Sequence, residues 1–415
     1  MIYKRLIDLS ADEKAHILNR GAKIDIALVT EIVERVKHVG DRALKEYTEK
    51  FDGVALENLK VSEDEFDEAF ENASPEVIEA IEKAHSNILK FHEKQIREDY
   101  SYTDSNRELG YIFRPVERAG CYVPGGRAFY PSTVLMAATP ARVAGVKQIV
   151  CITPPQSNGK INEHTLTACK IAGVTEVYKL GGVQGIAALA YGTETIQKTD
   201  IIVGPGNKFV TAAKKLVYGD VGVDMLAGPS EILIIADRST NPEYVYSDIL
   251  AQAEHDPDAS CVLLAIDENL AKKVHNQLNR NEDVASSLKN TSILTVKSVE
   301  EAIEFSNLYA PEHLAIIVEN HEEVLKKIVS AGSVFIGPFS PVAAGDYASG
   351  TNHILPTGGC ARYQSGLGID HFIKRISVQT ISRKGLEEIG DTITTLAEAE
   401  GLKYHSESVN KRLKR

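Results

Sequence analysis

The sequence predicts an α/β fold with two doubly wound domains, a helical N-terminal segment and a small helical C-terminal tail. Two observations lead to this class. Short apolar runs alternate with helical stretches from about residue 110 onward. The alternation begins again after the loop MLAGPS (225–230), so the runs form two successive series. With 415 residues, the chain is long enough for two or three domains.

The first 100 residues are predicted to be helical. Apolar residues recur at three- and four-residue spacing in DIALVTEIVERVKHVGDRALKEYTEKF (25–51) and, after Pro75, in EVIEAIEKAHSNILKFHEKQ (76–95). Charged residues fill the opposite faces, which is typical of surface helices.

The first α/β series begins with a strand and turn in YIFRPVERAGCYVPGG (111–126). Its later strands, predicted at 147–155, 176–182 and 200–206, end in Gly or Pro, which indicates βαβ units. Helices are predicted between them, at 132–146, 164–174 and 183–193. Pro140 interrupts the first of these helices, so we expect a break or a new helix start there.

The second series contains five more apolar runs. Strands are predicted at 231–237, 261–267, 292–296, 314–318 and 333–337, with helices around 241–255, 268–280, 298–308 and 321–331. Ligands of doubly wound sheets bind beyond the carboxyl ends of the strands, so we expect functional loops there. From about residue 368 the pattern is helical, and this tail is too short to be an independent domain. We expect it to dock, with a second subunit as one possible partner.

Composition excludes several classes of protein. The net charge is −12, and no basic stripe interleaved with aromatic residues stands out, so nucleic acid is not an expected partner. The five cysteines are widely spaced without a Cys-x-x-Cys pair, which favours reduced thiols in a cytoplasm. The N-terminus has no apolar run of signal-peptide length, and no stretch approaches the roughly 20 apolar residues that span a bilayer. We therefore expect a cytoplasmic protein without a membrane segment.

Three Gly-rich loops follow predicted strands: VPGGRAFYPS (123–132), GGVQGIA (181–187) and GPGNKFV (204–210). Each can present backbone N–H groups at a helix start, where anions bind. None is a complete G-x-G-x-x-G motif. Tight turns that need a positive φ explain the same glycines equally well.

Several polar residues are candidates for chemistry. Gln252 and His255 lie at the end of a predicted helix, where they suit a zinc site or, alternatively, a histidine stabilised by the helix dipole. Glu312 and His313 precede a predicted strand and form either an acid–base pair or an exposed polar turn.

A third candidate is the long loop GPFSPVAAGDYASGTNHILPTGG (337–359). It carries Asp346, which could be a metal ligand, and His353, which could contact a substrate. Alternatively, the loop is a Gly-rich connector without a functional site, and Asp346 lies in a turn. Glu400 and His405, in the tail, look like surface residues when taken alone.

Seven segments occur together in an order and spacing that closely resemble the histidinol dehydrogenase family. They are ERAGCYVPGGRAFYPSTVLMAATPARVAGV (117–146), GGVQGIAALAYGTE (181–194), GPGNKFVTAAK (204–214), DMLAGPSEILIIAD (224–237), DILAQAEHDPDA (248–259), APEHLAI (310–316) and AAGDYASGTNHILPT (343–357). The resemblance covers almost the whole chain and is weakest in the first 100 residues. It implies the four-electron oxidation of L-histidinol to L-histidine through bound histidinal, with Zn2+ and two NAD+, as the last steps of histidine biosynthesis.

The resemblance also implies residue roles. It implies that Glu312 and His313 are the catalytic acid–base pair. The implied zinc ligands are Gln252, His255, Asp346 and His405. The implied substrate contacts are Ser230, Gln252, His255, His313, Asp346, His353, Glu400 and His405. The implied NAD contacts are Tyr122, Gln184 and Asn207.

The family architecture implies two incomplete Rossmann-like domains in an intertwined homodimer. The domains expected are an N-terminal helical extension (1–19), a zinc- and substrate-binding domain (20–121 with 231–367), an NAD-binding domain (122–230) and a helical tail (368–415). In the family the tail carries Glu400 and His405 into the partner's active site. A relative acting on another alcohol, a zinc hydrolase and a non-catalytic metal-binding protein are the competing hypotheses; no His-Glu-x-x-His motif supports the hydrolase.

Overall fold

The structure is a computed structural model that describes residues 1–20, 26–125, 128–226, 228–281 and 288–414. It divides into two compact units. The large unit contains Met1–Gln95 and Glu117–Phe372, and the small unit contains Ile96–Val116 and Ile373–Arg415. The sequence had assigned residues 96–116 to the first Rossmann-like domain, whereas the structure groups them with the C-terminal segment.

Fourteen strands are present in the described residues. They are β1 (Ile2–Arg5), β2 (Tyr100–Asp104), β3 (Arg107–Pro115), β4 (Arg118–Tyr122), β5 (Gln148–Thr153), β6 (Glu176–Lys179), β7 (Ile201–Val203), β8 (Gly222–Val223), β9 (Glu231–Ala236), β10 (Ser260–Ala265), β11 (Thr291–Thr295), β12 (His313–Ile317), β13 (Ser333–Ile336) and β14 (Ile373–Ile381).

Sixteen α-helices are present in the same described ranges. They are α1 (Ala11–Leu18), α2 (Ile26–Val39), α3 (Asp41–Asp52), α4 (Glu63–Asn72), α5 (Pro75–Glu93), α6 (Pro131–Val143), α7 (Glu163–Ala172), α8 (Gly182–Tyr191), α9 (Lys208–Val217), α10 (Pro242–Ala253), α11 (Glu268–Arg280), α12 (Val299–Tyr309), α13 (His321–Leu325), α14 (Val342–Tyr347), α15 (Arg383–Ala399) and α16 (Lys403–Leu413). No helix of the described chain is both long enough and apolar enough to cross a bilayer.

The large unit contains two parallel sheets. Sheet A has the strand order β1-β11-β10-β9-β12-β13, and sheet B has the order β6-β5-β4-β7-β8. Apart from the edge strand β1, each sheet starts at a central strand, β9 in sheet A and β4 in sheet B, winds to one side and then crosses to the other. The direction of winding therefore reverses between β9 and β12 in sheet A and between β4 and β7 in sheet B. The predicted α/β fold with parallel sheets is confirmed.

Helices cover both faces of sheet A. Along β9 the side chains of Ile232 and Ile234 join a core formed with α10 and α11. Those of Leu233 and Ile235 join the opposite core, which includes α12. Because both faces of the strand are buried, its sequence is a continuous apolar run rather than an alternating one.

The N-terminal helices pack on the other sheet. Residues of α2 and α3 share a buried core with β5, α8 and α9 of sheet B. The predicted domain boundaries had instead grouped residues 20–121 with the second series of strands.

Two helical predictions are wrong where strands form. Residues Ile2–Arg5 pair with β11 at the edge of sheet A. Residues Ile373–Ile381 pair with β3 in an antiparallel sheet that also contains β2. The apolar residues of β14 are spaced by three, two and three residues, and most of the strand is exposed. Such spacing does not separate strand from helix, and the partner strand lies more than 250 residues away.

The expected break at Pro140 is also wrong, because α6 continues through it. A proline cannot donate to the carbonyl four residues earlier, which is that of Met136. The amide of Asn352 donates to this carbonyl instead, at a nitrogen–oxygen distance of 2.7 Å. Since α6 is buried along Thr133–Ala141, packing also opposes a break.

Candidate active site

Glu312 and His313 lie at the amino end of β12, beside the first residue of β9, Glu231. The backbone N–H of Glu231 donates to Oε2 of Glu312 at 2.7 Å. Nδ1 of His313 lies 2.9 Å from the carbonyl oxygen of Glu231. Because a carbonyl only accepts, Nδ1 carries a proton and donates it. The backbone of one residue thus binds both members of the predicted acid–base pair.

Both side chains of the pair are buried, and their charges are coupled. Burial raises the pKa of Glu312 to about 8; the charge of His313 opposes this shift, and the charges of Glu231 and Asp346 add to it. Burial acts to lower the pKa of His313, but the carboxylates of Glu312 and Asp346 outweigh it and raise that pKa to about 9. Two coupled groups with pKa values of about 8 and about 9 in one buried site suit proton transfer.

The position of this pair corrects an expectation. Ligand loops were expected beyond the carboxyl ends of the strands, but Glu312 and His313 lie at the amino ends of sheet A. The turn that places them is short: Ala310 ends α12 in the left-handed conformation, with φ 51°, and Pro311 follows. A non-glycine residue in this region is held against its preference, which is common at functional sites.

Asp346 and His353 lie next to the pair. Oδ1 of Asp346 is 3.7 Å from Nε2 of His313, and its backbone carbonyl lies 2.9 Å from Nδ1 of His353. Nε2 of His353 lies 3.2 Å from the hydroxyl of Thr133 on α6. Burial alone would raise the pKa of Asp346, but its interactions with His313 and the charges of His353 and His255 lower it. Asp346 therefore remains a carboxylate among imidazoles.

Gln252 and His255 lie at the end of α10. Gln252 is 3% exposed, and its Nε2 has no hydrogen-bond partner among the described residues. His255, two residues beyond the helix, is exposed. Its charge still lowers the pKa of Asp346, so the two side chains lie within electrostatic reach of each other.

The donors of the large unit fit a divalent cation. The described residues contain no group of three or more His, Cys, Asp or Glu side chains placed to hold a metal. The predicted ligand set does not need three such side chains in the large unit. One of its members, Gln252, is an amide, and another, His405, belongs to the small unit. An imidazole, a carboxylate and an unpaired buried amide are all donors that zinc accepts. The oxygen and nitrogen of an amide exchange places on a flip, so Gln252 can present its oxygen.

Glu400 and His405 lie in the small unit. Glu400 follows α15, and His405 is in the first turn of α16. Gly401 separates the two helices and has φ 74°. Both side chains are exposed.

The predicted NAD contacts lie at the carboxyl ends of sheet B. Tyr122 ends β4, and its hydroxyl accepts the N–H of Gly182 at 3.3 Å. Asn207 caps α9 by accepting the N–H groups of Phe209 and Val210. β4 and β7 flank the point where sheet B reverses, and Tyr122 and Asn207 follow the carboxyl ends of these strands, which is where doubly wound sheets bind ligands.

Gln184 lies on α8, which follows β6. Its Oε1 is buried without a hydrogen-bond partner in the described chain. In the predicted Gly-rich loop at 123–132, residues 126–127 lie outside the described residues, as does residue 227 of the loop MLAGPS.

Ser230 immediately precedes β9 and is half-buried; its carbonyl accepts the N–H of Ser260 at 3.0 Å. The neighbouring Glu231 was missed by the sequence reasoning. A carboxylate at the start of the otherwise apolar strand EILIIA was the available signal, because a buried charge needs a partner. Asn352 was also missed, although it adjoins the predicted His353.

Comparisons with known proteins point to one family along nearly the whole chain. The family described as histidinol dehydrogenase matches residues 20–413. The histidinol dehydrogenase of Methanocaldococcus jannaschii is 52% identical, with 100% of this chain and 99% of the relative covered. That of Haloarcula marismortui is 48% identical, with coverage of 99% and 100%.

A solved structure supports the same assignment. The crystal structure of histidinol dehydrogenase from Elizabethkingia anophelis matches with a TM-score of 0.93 and 44% identity, covering 100% of this chain and 98% of that one. The chain therefore belongs to the histidinol dehydrogenase family, whose members are metal- and NAD-dependent oxidoreductases.

Proposed function

We propose that the protein oxidises L-histidinol to L-histidine in two steps through bound histidinal, with the reduction of two NAD+, as the last steps of histidine biosynthesis. One observation carries the proposal in this family: the buried pair Glu312–His313 is held by Glu231 and faces Asp346. When bound, NAD accepts the hydride that leaves the carbon in each step.

His313 is the base of both oxidations. Its Nδ1 proton is engaged by the carbonyl of Glu231. In the neutral imidazole Nε2 carries no proton, and it has no hydrogen-bond partner in the described part of the chain, so it can take the hydroxyl proton of histidinol. The alcohol carbon loses one hydride as the oxygen loses this proton, and histidinal is formed.

Glu312 acts between the two oxidations. The aldehyde must add water before it can lose a second hydride. Oε2 of Glu312 accepts the N–H of Glu231, and the other oxygen takes a proton from the attacking water. His313 then removes a proton from the resulting hydrate as the second hydride leaves, which yields the carboxylate.

Gln252, His255, Asp346 and His405 are the proposed zinc ligands. When bound, zinc would hold the imidazole and amine of the substrate and orient the reacting carbon. Ser230, His353 and Glu400 are proposed to contact the substrate as well. Tyr122, Gln184 and Asn207 are proposed to bind NAD on sheet B, supported by the reversal of the winding direction between β4 and β7.

The protein is proposed to act as a homodimer in which Glu400 and His405 enter the active site of the partner subunit. Both side chains are exposed in the single chain. The antiparallel sheet of the small unit also leaves large apolar side chains exposed, namely Tyr100, Tyr102, Ile376 and Val378. Such a surface suits burial against a second subunit. The cytoplasmic location is proposed from the cysteines, all five of which are free thiols.

The decisive experiment measures NADH absorbance after mixing the protein, NAD and L-histidinol. We expect two NADH for each histidine formed. The absence of NADH formation by zinc-loaded protein would overturn the proposal.

A further inference from the structure

Arg20 and Glu231 form a buried ion pair directly behind the candidate active site. Nε of Arg20 lies 2.8 Å from Oε1 of Glu231, and the two side chains are 8% and 2% exposed. The same carboxylate oxygen accepts the backbone N–H of Gly358 at 2.7 Å. Charges this buried are retained only with specific partners, and nothing in the proposed mechanism uses Arg20.

Arg20 also contacts the segment that leads to Glu312. Its Nη2 donates to the carbonyl oxygen of Tyr309 at 2.9 Å. The guanidinium carbon lies 3.4 Å from the centre of the Tyr309 ring. Tyr309 ends α12, three residues before Glu312. A planar guanidinium can make all these contacts at once, whereas an ammonium group cannot.

One side chain therefore ties together the two segments that form the acid–base pair. Glu231 begins β9 and binds Glu312 and His313 through its own backbone. Tyr309 fixes the start of the turn from which Glu312 and His313 emerge. Both segments contact Arg20. Without its side chain, the positions of β9 and of the turn after α12 are less restrained relative to each other.

We propose that Arg20 and Glu231 are positioning residues, which hold the backbone of β9 and the turn after α12 so that Glu312 and His313 keep their catalytic geometry. The inference rests on the proposed function of that pair. Positioning is a better account than stability, because a buried ion pair is often no more stabilising than apolar side chains of similar volume.

A cavity beside the pair provides a way to test this inference. Arg20 and Glu231 line a cavity of about 380 Å³ together with Asn19, Ser260 and Thr291. Nη1 of Arg20 and Oε2 of Glu231 are buried without hydrogen-bond partners among the described residues. Removal of the Arg20 side chain would enlarge the cavity around the carboxylate of Glu231. A free guanidinium ion has the size and charge to occupy that space.

The experiment compares Arg20→Ala with Arg118→Ala. Arg118 forms the control pair: its buried side chain pairs with the partly exposed Glu176 at the amino end of sheet B, at the opposite end of β4 from Tyr122. We expect Arg20→Ala to lose about 10- to 100-fold in kcat with histidinol and to change KM by less than about threefold. Guanidinium chloride far below its denaturing range should restore part of this kcat, and sodium chloride should not. Arg118→Ala should lose thermal stability, keep its kcat and show no rescue.

A second measurement does not depend on turnover. In protein labelled with ¹⁵N-histidine, the Nδ1–H of His313 should give a slowly exchanging signal, identified by its loss in His313→Asn. We expect Arg20→Ala to lose this protection and Arg118→Ala to keep it. If wild-type protein fails to oxidise histidinol, the proposed function fails, and this signal still decides the positioning role.

Arg20→Lys and Glu231→Gln serve if Arg20→Ala does not fold. Each retains part of the contact, so we expect smaller losses of kcat at nearly unchanged KM. Equal kcat in the Arg20 and Arg118 variants, or equal protection of the His313 signal in both, would overturn the inference.

Discussion

The backbone N–H of Glu231 donates a hydrogen bond to Oε2 of Glu312, with 2.7 Å between nitrogen and oxygen. The carbonyl of the same residue accepts from Nδ1 of His313 at 2.9 Å. These two bonds leave different atoms available for chemistry: Nε2 of the imidazole and Oε1 of the carboxylate. The two side chains are thereby suited to separate tasks, although they are neighbours in the sequence.

The first prediction separates these tasks. Glu312→Gln should slow the oxidation of supplied histidinal by about 100-fold or more, because a general base contributes at least that much. The oxidation of histidinol to histidinal should change far less, because that step needs no added water. Single-turnover NADH formation with each substrate measures the two steps.

The matched variant for this test is His313→Asn, which should slow both steps. Equal losses in both steps for Glu312→Gln would contradict the division of labour between Glu312 and His313.

The sequence predicted the central strands of the parallel sheets, but it did not predict the edge strand β1 or the exposed strand β14. The central strands β9, β10 and β12 of sheet A are buried on both faces, so their continuous apolar runs were visible in the sequence without knowledge of their pairing partners. The edge strand β1 and the exposed strand β14 carry little apolar signal, and their pairing partners lie far along the chain. Strand formation at these places depends on long-range pairing, which local periodicity does not record.

The candidate site was predicted by resemblance rather than by local pattern. Glu312–His313 fitted an exposed turn equally well when it was considered alone. What separates the two interpretations is burial and the contact with Glu231, which begins a strand 81 residues earlier. Likewise, Pro140 alone predicts a helix break. The hydrogen bond from the amide of Asn352 to the carbonyl of Met136, which replaces the missing helix bond, is not visible in the sequence. Such contacts arise only when distant segments meet.

The second prediction concerns the proposed NAD site. Gly204 has φ 119°, and a Cβ at this position would collide with the carbonyl oxygen of Tyr122. Its N–H donates to Asp224 at 2.8 Å, which fixes the loop before Asn207. Gly204→Ala should therefore lower kcat/KM for NAD by about tenfold or more, which corresponds to about 1.4 kcal/mol.

Gly219→Ala is the matched control for Gly204→Ala. Gly219 has φ 105°, but a Cβ there meets nothing within 4 Å among the described residues. Both substitutions introduce backbone strain, and only one introduces the collision. Similar kinetics with NAD in the two variants would count against a role of this loop in cofactor binding.

The third prediction concerns the metal. Dialysis against a chelator should abolish turnover, and zinc should restore it. Magnesium should not, because it prefers octahedral oxygen ligands over an imidazole-containing set. Gln252→Ala should raise the zinc concentration required for half-maximal activity. Full turnover by protein shown to be metal-free would refute the ligand assignment.

The fourth prediction concerns pH and stability at Asp52, the last residue of α3. Burial raises the pKa of its carboxyl to about 6, from an ordinary 3.8, and Oδ2 has no hydrogen-bond partner in the described chain. Between these values the folded state keeps a proton that the unfolded state has lost, so folding becomes less favourable as the pH rises. Above about pH 6 the penalty is complete.

Asp52→Asn should therefore raise Tm at about pH 8, and the gain should disappear near pH 4. The asparagine also removes a negative charge from a helix C-terminus, where it is unfavourable. Thermal denaturation of both proteins across this range is the measurement. A gain in Tm that does not vary with pH would contradict the raised pKa.

The fifth prediction tests the shared active site by subunit mixing. His313→Asn and His405→Ala should each be inactive alone. In a heterodimer of the two, one site combines the intact large unit of one chain with the intact His405 of the other. A statistical mixture should recover about a quarter of wild-type activity, because half of the dimers are mixed and each has one complete site. The control mixture pairs His313→Asn with Glu312→Gln, where both sites of the heterodimer remain defective, so formation of histidine should not return. Recovery in neither mixture would mean that His405 acts within its own chain, and full activity of His405→Ala alone would mean that His405 is not needed.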